Sequence, residues 1–204
     1  MHTPGVVGAG GGAREQYDAT SLLAVAVRTF NDSGYDGTSM SAVAAAAGIS
    51  KSSIYHHFTS KEQLLNLAVS RALNSLFQVL EEPAAVEGTA IARVNHVVRR
   101  TVEVLIAELP SVTLLLRVRG NTKTERWALE QRREFDRRVA TMVEQAARAG
   151  DLRADIDPRL ATRLLFGMVN SISEWYRSDR DHNPSVIAAA ATELAFGGLR
   201  QPHL

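Results

Sequence analysis

The chain has 204 residues, 45% apolar and 22% charged, which suits a globular protein with one large domain or a small domain joined to a larger one. No apolar run approaches the roughly 20 residues that span a bilayer, the N-terminal stretch lacks the basic start and long apolar centre of an export signal, and the absence of cysteine excludes disulfide scaffolds and thiolate metal sites; a cytoplasmic protein with no membrane partner is expected. With a net charge of only +1, any contact with a polyanion must rest on a local feature.

Residues 1–13 are rich in glycine and carry no apolar period, so a disordered tail or an expression remnant is expected there. Their "GAGGGA" resembles a dinucleotide fingerprint only superficially, because it follows no strand. From Leu22 the pattern is helical, with Leu22, Leu23, Ala26 and Phe30 on one face and "NDSGYDG" as the ending. The alanine-rich "SAVAAAAG" predicts a second short helix closed by Gly48 in the left-handed conformation. Ser50 is placed to cap a third helix and Ser60 a fourth, where Gln63 completes a capping box. Leu64, Leu67, Ala68, Leu76 and Leu80 carry that fourth helix to "EEPAAVEG", which ends the first unit. Longer helices are expected over 89–109, 111–119, 122–149, 158–177 and 184–196, separated by Pro110, Gly120, Gly150 and "DHNP". The chain is thus expected to be all-α, with about nine helices and no internal repeat.

The run "SKSSIYHHF" at 50–58 has too few aliphatic residues for a core helix and too little charge for a solvated one. At 100° per residue, Lys51, Ser52, Tyr55 and His56 share a face, while Ser53, Ile54 and His57 turn toward the other, with Ile54 as the inward anchor. The exposed face offers a cation, a hydroxyl, a phenol and an imidazole, all able to donate to phosphates or base edges. With the small-residue helix and Gly48 turn before it, this reads as a helix-turn-helix whose second helix is the reader. Adjacent histidines cannot share a helical face, so a metal site is not expected. Nor is a cofactor, since no nucleophile, phosphate-loop or His-Glu-x-x-His pattern points to an enzyme. A helical protein-interaction adaptor is the rival reading, but it leaves the reader face without a purpose.

The stretch "TSMSAVAAAAGISKSSIYHHFTSKEQLL", preceded by "LLAVAVRTFNDSGYDG", resembles the DNA-binding domain of the TetR family of bacterial transcription regulators over about residues 14–68. The pair Gly34-Tyr35, the turn Gly48, Tyr55, Phe58 and the pair Lys61-Glu62 carry the match. The resemblance implies a helix-turn-helix DNA-binding domain at 14–61, a connecting helix at 62–80, and a ligand-binding and dimerisation domain at 81–204. It further implies a homodimer formed by the last two helices, a double-stranded DNA operator as partner, and a small-molecule effector. It places operator contacts on Ser39, Ser41, Ser50, Lys51, Ser52, Tyr55, His56, His57 and Lys61.

The second half is sparser in signals. Trp127, Gln131, Phe135, Val139 and Met142 trace a stripe read as inward-facing, opposed by Leu160, Leu164, Gly167 and Ser171. Asn170, Ser171, Ser173 and Glu174 interrupt an apolar helix, and such groups need partners if buried. They line a ligand cavity or fix the dimer register; the cavity, where there is one, is expected among Asn95, Arg99, Trp127, Gln131, Asn170 and Glu174. This half loosely resembles TetR regulators that respond to acyl-CoA thioesters or steroid-like catabolites, and Arg99-Arg100 and Arg117-Arg119 are placed to meet CoA phosphates. The arginines at 132–138, interleaved with Glu134 and Asp136, read as a solvated helix face. Ile172, Ile187, Ala190, Leu194 and Gly197 are the expected dimer contacts.

Overall fold

Side-chain oxygens written into the sequence start most of the helices. Asp18, Ser39, Ser50, Ser60, Thr89 and Asp157 each accept a hydrogen bond from the backbone N–H three residues on, satisfying a donor that the first turn leaves free. In the computed structural model, which describes residues 18–180 and 182–199, the order is α1 Ala19–Ser33, α2 Met40–Ala46, α3 Lys51–His57, α4 Lys61–Val79, α5 Pro83–Val86, α6 Ala90–Ala107, α7 Leu109–Arg117, α8 Lys123–Arg148, α9 Pro158–Trp175 and α10 Pro184–Leu199. The expected tail at 1–13 lies outside the described residues. Among those residues the fold is all-α with ten helices. The additional one, α5, lies in "EEPAAVEG": Pro83 opens a single turn there, where its missing N–H costs nothing. For the same reason Pro110 sits inside the first turn of α7 instead of separating two helices.

The first three helices close around Leu22, Phe30, Val43 and Ile54, which meet Leu64 and Leu65 at the start of α4. Along α4, Leu73 and Val79 continue the same core into the larger bundle, packed with Val94 and Leu105 of α6, Leu115 of α7, Phe135 and Val139 of α8, and Phe166 and Val169 of α9. At its centre the Phe135 ring lies edge-on to Phe77, 5.8 Å between centroids, and 5.5 Å from Phe166. Contacts of this kind are worth about 1 kcal/mol beyond the area they bury.

Polar ties join the front helices to the bundle. Glu62 accepts from the Thr124 N–H at 3.2 Å and its hydroxyl at 3.1 Å, and Asn121 donates to Asp36 at 2.9 Å. Asn31 donates to the Pro110 carbonyl at 2.8 Å, and Arg117 donates to the Asn31 carbonyl at 2.9 Å. The start of α8 is thereby held against the start of α4.

Three sequence expectations are corrected here. On α9 the inward face is Ala161, Leu165, Phe166, Val169 and Ile172, whereas Leu160 and Leu164 are 50% and 65% exposed and Gly167 and Ser171 also face out. On α8, Phe135 and Val139 are buried but Trp127 is exposed. Of the expected dimer contacts, Ile172 and Ile187 are buried in the protomer's own core, while Ala190, Leu194 and Gly197 are exposed, Leu194 by 73%. On α9 and α10, apolar residues on two faces explain the errors: one face serves the protomer's own core and the other is left open.

Candidate nucleic-acid interface and ligand cavity

The turn before α3 is built from backbone bonds. Gly48, at φ 66°, donates to the Ala45 carbonyl and Ile49 to the Ala44 carbonyl, both at 3.0 Å. This paired closure ends α2 sharply and requires a left-handed residue at Gly48. Ser50 then caps α3, accepting from the Ser53 N–H at 3.1 Å, with its hydroxyl also bonded to those of Ser52 at 2.9 Å and Ser53 at 2.7 Å. Ile54 is fully buried and Phe58 nearly so, pinning the inner side of α3.

The outer side carries Lys51, Ser52, Tyr55, His56 and His57, all exposed, with Ser39 and Ser41 exposed at the start of α2. His57, expected to turn partly inward, is exposed as well, its ring 6.3 Å from that of Phe58. Ser39 accepts from the Ala42 N–H at 3.1 Å, so it serves first as the cap of α2. No acidic residue lies between Ser50 and Lys61, and Lys51 is the first residue of α3, at the positive end of its dipole.

Lys61 is differently occupied. Its ammonium donates to the carbonyls of Tyr35 at 2.8 Å and Asp36 at 3.3 Å and lies 4.3 Å from the Tyr35 ring centroid. It therefore ties the α1–α2 turn to α4. Desolvation, reinforced by Glu62, Glu125 and Asp36, pushes the Tyr35 phenol up to about 12. The expected capping box at Ser60 forms only in half: Ser60 accepts from the Gln63 N–H, but Gln63 accepts from Thr59. A complete box occurs instead at Thr122 and Glu125, opening α8.

A cavity of about 60 Å³ lies among α4, α6, α7, α8 and α9, walled by apolar residues such as Leu73, Leu105, Phe135 and Phe166. Four polar groups reach it: Thr101, Arg132, Asp136 and Asn170. The Thr101 hydroxyl oxygen is buried with no partner, an unmet hydrogen bond that a ligand's oxygen can complete. Burial holds the Arg132 guanidinium below its ordinary value, with Asp136 opposing that shift. Crowding by protein pushes the Asp136 carboxyl up against the pull of Arg132 and Arg163.

Of the residues expected to line the cavity, only Asn170 does. Asn95 has a buried, unpartnered side-chain oxygen but does not line this cavity; Arg99 pairs with Glu103 at 3.3 Å; Trp127 and Glu174 are exposed and Gln131 is half-buried outside the cavity. Arg100, expected to meet phosphate, is held by Glu82 and Glu103, and Arg117 by the Asn31 carbonyl. Arg132, half-buried, and Asp136, exposed as expected of a solvated face, both line the cavity and were not among the residues expected there; their i, i+4 spacing astride Phe135 is the signal that marks them.

Among the described residues no helix is long and apolar enough to cross a membrane, and no group of three His, Asp or Glu is placed to hold a metal ion. The model of the bacterial regulatory proteins of the tetR family matches residues 22–68, and that of the tetracyclin repressor-like C-terminal domain matches residues 87–199. SCO3833 of Streptomyces coelicolor A3, a member of the TetR transcriptional regulator family, is 59% identical and superposes with a TM-score of 0.84 over 93% of this chain and 94% of its own. The transcriptional repressor KstR2 of Rhodococcus jostii is 29% identical, over 90% of this chain and 92% of its own. The fold is shared with AibR, solved with isovaleryl coenzyme A and operator DNA, at 24% identity and a TM-score of 0.73 over 87% of this chain and 97% of its own. The chain belongs to the TetR family of bacterial transcription regulators.

Proposed function

We propose that this protein is a ligand-responsive repressor: a cytoplasmic homodimer that seats two copies of α3 on a partly palindromic operator and leaves it when a small apolar metabolite or its CoA thioester binds. The observation that carries the reading is the outer face of α3, where Lys51, Ser52, Tyr55, His56 and His57 stand exposed behind a sharp glycine turn, in a stretch from Ser50 to Lys61 that holds no acidic residue. Lys51, Tyr55 and the histidines are assigned to base edges and phosphates, and Ser39, Ser41, Ser50 and Lys61 to the flanking backbone. The open apolar face of α9 and α10, with Leu160, Leu164, Trp175 and Leu194 exposed, is assigned to the partner copy, since exposed large apolar side chains gathered on neighbouring helices call for cover. KstR2 is a repressor by name, and AibR was solved with both a CoA thioester and operator DNA, which supports the same pairing of activities here.

Release follows from geometry. Two reader helices must be separated by about one helical turn of DNA, roughly 10 bp or a related spacing, and α4 joins the reader domain to a wall of the cavity through Leu73 and Leu76. A ligand that favours a different tilt of α4 shifts the protein away from the DNA-bound form, and DNA weakens ligand binding by the same factor. Selection from random duplex DNA is expected to return inverted repeats. Recovery of only non-repetitive or single-stranded sequences would sink the proposal.

A further inference from the structure

A cleft of about 630 Å³ opens between the reader domain and the bundle. It offers far more room than the central cavity of about 60 Å³ and falls within the roughly 300–1,000 Å³ that organic ligands occupy. One wall is the α1–α2 turn with Tyr35 and Asp36, the other is the end of α7 with Leu116, Val118 and Arg119, and Leu65 of α4 joins them. Leu116 also borders the central cavity, so α7 stands between the two spaces. Two ties hold the walls to each other, Asn121 to Asp36 at 2.9 Å and Arg117 to the Asn31 carbonyl at 2.9 Å.

The polar groups at this cleft are unevenly served. Glu125, 3% exposed, accepts at both carboxylate oxygens, from the backbone N–H of Arg119 at 3.1 Å and of Thr122 at 2.8 Å, and Asp36 holds Asn121. Two donors are left over. Among the described residues, the exposed Arg119 guanidinium makes no hydrogen bond or ion pair, and the hydroxyl of the half-buried Tyr35 makes no hydrogen bond. The Tyr35 ring is nonetheless fixed, edge-on to Phe30 at 5.2 Å and 4.3 Å from the Lys61 ammonium. Burial, reinforced by the carboxylates of Glu62, Glu125 and Asp36, pushes this phenol up to about 12, so at neutral pH it keeps its proton and is a donor. The same three carboxylates repel an anion at the Tyr35 end of the cleft.

We propose that this cleft binds a small monocarboxylic acid whose carboxylate meets the Arg119 guanidinium, whose apolar body lies along Leu116 and Val118, and whose far end carries a neutral hydroxyl or keto oxygen that accepts from Tyr35. A guanidinium fork matches a carboxylate with two parallel hydrogen bonds. The site is separate from the central cavity and gives the protein a second effector; only its effect on DNA rests on the regulator reading above. A ligand that touches both walls favours the arrangement of the two domains seen here, and its binding changes operator affinity by the same factor as the operator changes its own.

The test is calorimetric titration of the full-length protein with para-hydroxyphenylpropionate, its methyl ester and its para-carboxy analogue. The wild type is expected to bind the hydroxy acid more tightly than the uncharged ester and than the diacid, whose second charge falls near Asp36 and Glu125. Arg119→Ala should weaken binding of the hydroxy acid by roughly tenfold and Tyr35→Phe by about three- to tenfold, both with unchanged thermal unfolding at neutral pH. Arg148→Ala, outside the cleft and paired with Glu144, should leave binding as it is. The proposal is overturned if the hydroxy acid does not bind the wild type, if the ester or the diacid binds as tightly, or if the double variant Tyr35→Phe/Arg119→Ala binds it as the wild type does. Operator affinity is measured on the same preparations with and without the hydroxy acid. A shift in the wild type that the double variant lacks is the expected result, and binding of the acid with no shift overturns its role as an effector. If the wild type binds no operator even without the acid, the regulator reading falls, while the titration still decides the cleft.

Discussion

Replacing Leu164 and Leu194 by Glu separates dimerisation from folding. The two side chains are 65% and 73% exposed in the protomer, so they contribute little to its core. Full burial of a leucine is worth about 1.5–3 kcal/mol; covering the exposed two-thirds of each is therefore worth about 1–2 kcal/mol. Two-fold symmetry presents each residue twice, and the four leucines together are worth about 4–8 kcal/mol of association, or roughly three to six decades in dimer affinity. An unpaired carboxylate trapped in the contact adds to the loss. Leu164→Glu/Leu194→Glu is expected to sediment as a folded monomer across a micromolar concentration series, with helical circular dichroism intact and operator affinity strongly reduced. Ile172→Ala is the counterpart. Being 3% exposed, it should cost about 2–5 kcal/mol of folding stability without selectively dissociating the dimer. A double glutamate variant that remains dimeric at the wild-type concentration refutes the assignment of this face.

Lys61→Ala removes two donated hydrogen bonds and the contact with the Tyr35 ring, so urea unfolding should show about 1–3 kcal/mol less stability besides weaker binding to every DNA sequence; unchanged stability argues against its role as a tie. Tyr55→Ala should weaken binding to all sequences and flatten its salt dependence, whereas Lys51→Ala should change which sequences are selected, at about 1–3 kcal/mol for the base it reads. The raised Tyr35 phenol, about 12 when folded, contributes stability that is present below the ordinary tyrosine value near 10 and is lost as pH rises through about 12. Tyr35→Phe should flatten that alkaline decline in a pH series of urea midpoints; the same slope in both proteins contradicts the assignment. On α8, Phe135→Ala should cost about 3–5 kcal/mol and enlarge the ligand cavity, while Trp127→Ala should leave both stability and thioester affinity nearly unchanged.

The helix-turn-helix was legible because its signals are local. Ser39, Ser50 and Ser60 cap the residues three positions on, Gly48 closes α2 with its immediate neighbours, and Ile54 is set opposite Ser52 and His56 by helical geometry alone. Interactions within four residues do not depend on where the rest of the chain goes. The order and extent of the helices followed from the same caps and from periodicity, with α5 missed because one turn is too short to show a period.

Which face of α9 is inside could not be read in that way. "LATRLLFGMV" has one apolar row at Leu160, Leu164 and Gly167 and another at Ala161, Leu165, Phe166 and Val169, and both satisfy helical spacing. Only the positions of α6 and α8 select the second for the core and leave the first open. The cavity is likewise a product of long-range packing, since Leu73, Thr101, Leu115, Arg132 and Asn170 come together from five helices. The sequence by itself determined the caps, the turn and the exposed side of α3, because each is decided by bonds and spacings within a helix. The tertiary structure alone decided the central cavity and the open face of α9 and α10, because burial is a relation between helices that periodicity within one helix does not contain.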